Sequence, residues 1–408
     1  MLRGIKFKLK LKPKQISFFT QHADACRYVY NKALGAKIEY YELTGKALSH
    51  LELCKKLPLI KKLPGFEWLK ACESSCLQIS LMNQDLAFQN FFNSINGTRA
   101  GRPVGFPNFK KKGKCRESFT MTGSSTFKVK EDQLQIPKLG FVKVWAGVKQ
   151  LKRIEDGEIK RVTFSKSSDG CWYASVLIDT RGWYNNRINN PLPKYASTGE
   201  TNGLDVGIKT TITLKNGSIN LPDKIKKLEK KVNKLNQKLH KKELGSKNRE
   251  KIKTKLSKCY YTIAQIRKNF MHQVSHFIAK NVDILTVETL NIQGMMKNRK
   301  LARSIGRQGW YMLITFLKYK LEDNGKIVIQ VNKSFPSTKL CSICGNLNAN
   351  IDLSIRDWIC PSCNTNHNRD QNAAKNLDNV SRWFKLTGEI VTNKKNYIKS
   401  ILPNLGTF

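Results

Sequence analysis

Two sets of residues could do chemistry. Cys341 and Cys344 form one Cys-x-x-Cys pair and Cys360 and Cys363 a second, with 15 residues between the pairs. That spacing fits a zinc ribbon, in which each turn offers two thiolates to one tetrahedral metal. Four thiolates leave no open coordination position, so the zinc is expected to be structural and to brace the loop that follows. The second set is three acids far apart in the chain, Asp205, Glu288 and Asp370. Asp205 lies in the apolar strand-like run Gly203-Leu204-Asp205-Val206-Gly207, whose glycines would let a bulky ligand approach the backbone. A lone buried carboxylate is costly, so it calls for a cation or a partner. Glu288 ends the strand-like run Val282 to Val287. Asp370 opens a helix that begins after Asn368-Arg369, where free amide groups favour a carboxylate. Each acid alone reads as a surface residue. Together they sit where strands or a helix fix their direction, as magnesium requires. Two such ions ~3.5–4 Å apart activate water and stabilise the leaving oxygen of a phosphodiester.

The elements that must position these groups belong to a chain of 408 residues with 40% apolar content, enough for two to four domains at ~100–200 residues each. Lys and Arg number 73 against 30 Asp and Glu, a net charge of +43. Such an excess argues against an enzyme of small metabolites and for a polyanionic partner, with nucleic acid first. No apolar run approaches ~18 residues and no lipidation signal is present, so no membrane association is expected. Residues 5–12 alternate Lys with apolar side chains, which is a strand pattern and not a signal peptide. The seven cysteines outside the ribbon are scattered and odd in number, which suits a reducing, cytoplasmic setting. Cys72 and Cys76, four apart on a helical pattern, read as buried apolar residues before they read as half of a metal site.

Pattern reading along the chain gives a mostly helical stretch from Gln15 to about Asn96, broken at Pro58 and Pro64, with Leu81, Met82, Ala87, Phe88 and Phe92 as core contacts. A Gly, Pro and Lys-rich segment follows, in which Phe106, Phe109 and Phe119 are interleaved with basic residues. Aromatics among lysines suit single-stranded nucleic acid. Residues 126–180 read as short strands with turns at Gly140, Asp156-Gly157 and Asp169-Gly170, a small barrel that the N-terminal strand could join. Asn216-Gly217 marks a hairpin. Ile225, Leu228, Val232, Leu235 and Leu239 step by three and four, a heptad seam answered by Ile252, Leu256, Ile263, Ile266 and Phe270. A helix near Ile314–Leu321 and a strand from Ile327 to Val331 precede the ribbon.

On the pieces GLDVGIK, TVETLNIQGMMKN, LARSIGRQGW, SFPSTKLCSICG, WICPSC and NRDQNAAKN, the chain resembles the TnpB (OrfB) family encoded by insertion sequences, relatives of compact type V CRISPR nucleases. The resemblance implies an α/β multidomain protein with a RuvC-like domain of RNase H fold and an inserted zinc ribbon. A helical lobe and a small β-barrel would lie on its N-terminal side. The expected segments are a strand at 1–14, a helical recognition lobe at 15–100, a wedge-like barrel at 101–180 and a linker at 181–202. A RuvC-like domain at 203–337 would carry the helical hairpin 224–270. The ribbon at 338–366, the last RuvC-like segment at 367–384 and an unassigned tail at 385–408 complete it. Residue by residue, Asp205, Glu288 and Asp370 resemble the family's three carboxylates, and Cys341, Cys344, Cys360 and Cys363 its zinc ligands. The implied activity is RNA-guided, magnesium-dependent cutting of target double-stranded DNA in a transposition system, with guide RNA as second partner. Pairing with the guide carries most of the specificity in such systems. Three positions depart from the family: Asn368 where an aspartate is common, Thr338 after Ser337 where a second serine is common, and Thr289 where an acid often follows the glutamate. None removes a carried-over ligand. Two other readings compete, an RNA-guided DNA binder that does not cut and the strand-transfer transposase itself. The latter wants a nucleophilic tyrosine with a metal-binding His-x-His pair, and none of the six histidines forms one.

Overall fold

The structure is a computed structural model that describes residues 2–99, 101–123, 127–179, 197–352 and 355–391. Most of the expected linker at 181–202 and of the tail at 385–408 lies outside the described residues. The chain divides into two compact units, Met1–Pro191 and Leu192–Phe408.

The first unit sets helices beside one sheet. Strand β1 (Leu2–Lys10) pairs with β5 (Gly140–Trp145) and β7 (Trp172–Asp179), so the alternating lysine strand lies at the middle of the sheet. With β2 (Ser118–Thr122), β3 (Val129–Lys130), β4 (Gln133–Ile136) and β6 (Glu158–Lys166) the order is β2-β6-β7-β1-β5-β4-β3. This is a curled half-barrel sheet with two free edges among the described residues, not the closed barrel expected. Edge strand β3 has two residues, too few to carry a closing ladder. A short helix, Val148–Glu155, follows β5 where no helix was expected.

Helix α1 (Pro13–Thr44) starts with Pro13 in its first turn and stops at Gly45, whose φ of +67° suits glycine. Its Phe19 is fully buried, with its ring 5.1 Å from Phe164 and 5.3 Å from Trp172, and so anchors the helix on the sheet. Helix α2 (His50–Ile60) opens on a Ser49–Glu52 capping box and contains Pro58 near its end. Pro58 therefore does not break the chain where expected. Helix α3 (Ser74–Ile95) buries Cys76, Leu77, Ser80, Leu81 and Gln84, while Met82 and Phe92, expected in the core, are exposed. Cys72 and Cys76 are both buried. Of the interleaved aromatics, Phe119 is core, Phe106 sits edge-on to Phe88 and Phe91, and Phe109 is exposed.

The second unit is built on β8 (Thr201–Asp205), β9 (Ile212–Leu214), β10 (Gly217–Ile219), β11 (Ile284–Glu288) and β12 (Ile327–Val331). Their order is β10-β9-β8-β11-β12; the first three run antiparallel, and β8, β11 and β12 run parallel. Leu214 pairs with Gly217, so the hairpin loop is Lys215-Asn216 and Gly217 already belongs to a strand. The amphipathic hairpin forms from α4 (Asp223–His240) and α5 (Lys247–Asn281), joined along Ile225, Val232, Cys259 and Ile263. The return helix runs to Asn281, beyond the expected end, and its last turns pack with α6 (Trp310–Glu322) on Leu204, Leu285 and Val287 of the sheet.

Helix α7 (Arg369–Thr387) covers the other face through Leu377 and Val380 against Ile284, Ile329 and Val331. It passes very close to Gly203. A Cβ there would stand 2.6 Å from Leu377 Cβ and nearer still to the Ala374 carbonyl oxygen. The glycine expected to admit a ligand thus admits a helix. Gly203→Ala is expected to cost about 3 kcal/mol in denaturant unfolding, because helix backbone cannot rotate aside. Gly217→Ala, which meets nothing within 4 Å, is the matched control and should be nearly neutral.

Candidate active site and thiolate cluster

Parallel pairing places Leu204 opposite Val287, so the next residues along the two strands are Asp205 and Glu288. Neighbouring strands lie ~4.8 Å apart, so both acids emerge side by side at the C-terminal ends of two central strands. Asp205 is buried, and burial is the main cause that raises its carboxyl to about 8, with the Glu288 and Asp370 charges adding to it. Burial likewise raises Glu288, which accepts a hydrogen bond from the Ser337 hydroxyl that pulls the other way. A cleft of about 200 Å³ beside Glu288 is lined by Thr289, Asn291, Asn332 and Lys333.

Asp370 sits in the first turn of α7, one turn-position later than expected, because Asn368 is the N-cap and accepts from Gln371 N. The Asn368 amide also donates to Asp357 Oδ1 at 2.9 Å, which an aspartate there could not do. Asp370 accepts from Arg356 Nη1 on both oxygens, at 2.8 and 2.9 Å, with Arg369 at 3.6 Å from one of them. The Asp370 charge acts on Asp205, so the three acids form one electrostatic set. It is a loose set: among the described residues, only the four cysteines form a group whose ligand atoms all lie within 4.8 Å of one another. Hard oxygens, burial and mutual repulsion are the donor chemistry that suits a magnesium ion.

The Asp205 shift has a measurable consequence. Its folded carboxyl titrates far above the ordinary value of 3.8, so between about pH 4 and pH 8 the folded chain holds a proton that the unfolded chain has lost. Metal-free stability should therefore fall as pH rises through that window. Asp205→Asn should remove this slope and raise the metal-free melting temperature at pH 8 relative to the parent, with little difference at pH 4. The four-cysteine ribbon contributes equally to both proteins and cancels in the comparison.

The thiolate cluster is tight. Cys341 Sγ lies 3.6 Å from Cys363 Sγ, and Cys344 Sγ lies 3.6 Å from Cys360 Sγ. A tetrahedron with Zn–S bonds of ~2.3 Å has edges of ~3.8 Å, so the four sulfurs fit a zinc ion. Burial pushes the Cys341 thiol up to about 12, and a cation is what would favour its ionised form. His367, buried and 4.7 Å from the Trp358 ring, has Nε2 3.1 Å from Cys341 Sγ and as the Nε2–H tautomer donates to it. The cluster ties two knuckles to the hairpin of β13 (Asp357–Ile359) and β14 (Asn366–Asn368), and β14 runs directly into α7.

Three groups escaped sequence reading. Asn372 and Asn376, one turn apart on α7, donate to the Leu340 carbonyl at 2.6 and 2.7 Å, and Asn376 donates to the Ser337 carbonyl at 2.8 Å. Asn372 Oδ1 accepts from Ser342 N at 2.9 Å. This ladder fixes the segment that carries both Ser337, bonded to Glu288, and Cys341. Arg356 was the other omission. The four-residue spacing of the asparagines on one buried helix face was the available signal; nothing in the sequence marked Arg356.

The second unit thus combines a mixed sheet, two acids at the ends of adjacent parallel strands, and a thiolate ribbon placed before the covering helix. Residues 310–377 match the family described as "Cas12f1-like, TNB domain", 183–299 "Probable transposase" and 1–46 "Helix-turn-helix domain". The described part of that last region is one strand and the whole of α1, with no turn between two helices. The chain is 29% identical to "Putative RNA-guided DNA endonuclease InsQ" of Escherichia coli, across 96% of this chain and 95% of that protein. It is 28% identical to a "Putative RNA-guided DNA endonuclease" of Streptomyces pristinaespiralis, across 92% and 88%. The Cas12f1 chain in its complex with sgRNA and target DNA superposes with a TM-score of 0.50 at 17% identity, covering 93% of this chain and 98% of that one. These matches are to the TnpB/Cas12f-like family of insertion-sequence nucleases. No helix among the described residues is long and apolar enough to cross a membrane.

Proposed function

We propose that the chain is an RNA-guided, divalent-metal-dependent DNA endonuclease of a transposable element, working in the cytoplasm. Its RuvC-like domain of RNase H fold would be the second unit, with Asp205, Glu288 and Asp370 as the acids that hold magnesium. The observation that carries this is the emergence of Asp205 and Glu288 from adjacent parallel strands, with Asp205 driven to about 8 by burial and by its acidic neighbours. Strand order β10-β9-β8-β11-β12, three antiparallel strands followed by parallel ones, supports the RNase H reading. Magnesium, when bound, would supply an activated water and charge stabilisation at the leaving oxygen.

The chain's own groups do the rest. Asp205 and Glu288 supply carboxyl oxygens at adjacent strand ends whose ionised form a cation would favour, Ser337 orients Glu288, and the Asn372–Asn376 ladder holds Ser337. The thiolate ribbon holds zinc and braces the start of α7, where Asp370 sits. Guide RNA and target double-stranded DNA are the partners that the relatives' names and the +43 charge support. A guided binder that does not cut is the second reading, favoured by the Arg356 guanidinium that engages both oxygens of Asp370.

Co-expression with the end of its own element, followed by purification and sequencing of the bound RNA, tests the proposal. A discrete RNA and magnesium-dependent cutting of a matched duplex are expected. Retention of the matched duplex, uncut in magnesium, would establish the binder, and absence of any discrete RNA would overturn both readings.

A further inference from the structure

The outward face of the half-barrel sheet carries large aromatic side chains exposed to solvent. In β5, Val142 and Val144 point into the core, while Phe141, Lys143 and Trp145 point out. Outward positions of a half-exposed sheet are normally polar. Here Trp145 is 64% exposed and Phe141 45%. The register sets Lys8 of β1 opposite Trp145 and Lys10 opposite Lys143, on the same face. On the other side, Gln133 and Gln135 of β4 stand opposite Lys143 and Phe141. Lys6 Nζ, further along β1, lies 5.0 Å from the Tyr173 ring centroid. Asp132 pairs with Lys143 at 3.0 Å.

Exposed rings bracketed by lysines and side-chain amides match an unpaired polynucleotide: rings for base faces, lysines for phosphates, amides for base edges. We propose that Phe141, Lys143 and Trp145, with Lys8 and Lys10, form a stacking platform for unpaired bases of RNA. Four residues at ~3.4 Å separate the two rings by ~14 Å along the strand. Duplex bases follow one another at ~3.4 Å per strand and hide their faces, so the platform suits bases splayed from a single strand. The choice of RNA rests on the guided-nuclease reading, in which RNA is the partner that stays bound.

The test uses the full chain without magnesium, fluorescent oligouridylate as probe, and a DNA duplex and oligothymidylate of the same length as comparisons. Trp145→Ala and Phe141→Ala should each weaken oligouridylate binding by about five- to a hundredfold and leave duplex binding unchanged. Trp145→Phe should keep most of the affinity. Val148→Ala, at a side chain 83% exposed but off the platform, should change nothing. Lys143→Gln should lower the salt slope by about 0.7, the value for one contact on a single strand. Unchanged oligouridylate binding in Trp145→Ala would overturn the platform, as would an equal loss on the duplex. Tighter, equally Trp145-dependent binding of oligothymidylate would overturn its assignment to RNA. Failure of cleavage in magnesium would sink the nuclease reading and leave these binding results standing.

Discussion

Asp205→Ala should abolish magnesium-dependent cutting of a guide-matched duplex, by at least about a thousandfold, while leaving guide and target binding within a few-fold of the parent. Lewis-acid stabilisation contributes several kcal/mol, and each ~1.4 kcal/mol is a factor of ten in rate. Asp205 is the most deeply committed of the three acids: buried at a strand end, beside Glu288, with its carboxyl raised to about 8. Removing it takes away a carboxyl that is costly to ionise inside the fold, so at pH 8 the metal-free variant should be at least as stable as the parent. Loss of activity with retained stability separates a metal-holding role from a structural one. Glu288→Gln should behave similarly, since Ser337 can still donate to the amide oxygen. Equal cutting by parent and Asp205→Ala would place the reaction elsewhere.

Cys360→Ser should release the zinc and unfold the ribbon. The ribbon's core among the described residues is Cys341, Ile351, Trp358 and Cys360, far too small to fold on apolar burial alone. Structural zinc supplies about 10–16 kcal/mol in small ribbons, so losing a buried ligand removes most of what orders this one. Arg369 N donates to the Arg356 carbonyl at 2.7 Å, and β14 continues into α7, so disorder in the ribbon reaches the first turn that holds Asp370. Expected are loss of zinc by elemental analysis, a red-shifted and more quenchable Trp358, and at least a hundredfold slower cutting with magnesium present. The sheet and α5 should keep their cooperative unfolding. Full cutting at zero zinc would contradict the bracing role.

Much of this was legible because strong periodicity and metal-ligand spacing are local. Strands ending at Glu288 and Val331, the heptad seam of the helical hairpin and the four cysteines are each written within a few neighbouring residues. What was missed is relational. Gly203 looks like room for a ligand until Leu377 and Ala374 are seen above it. Met82 and Phe92 look like core on a helical wheel, yet the partner lies on the face of Cys76, Leu77 and Leu81. Asn368 looked like a weakened acid and is a cap that also binds Asp357. Strands β2 and β4 escaped because their polar residues hide the alternation. Ser337 and Arg356 acquire meaning only through the carboxylates they meet in space.

The central claim is that Asp205, Glu288 and Asp370 share divalent ions, and the most direct measurement is the anomalous signal of manganese in crystals of the full chain. The account predicts peaks in contact with all three carboxylates and Asp370 released from Arg356. Manganese bound elsewhere, with Arg356 still on Asp370 and nothing between Asp205 and Glu288, would contradict it.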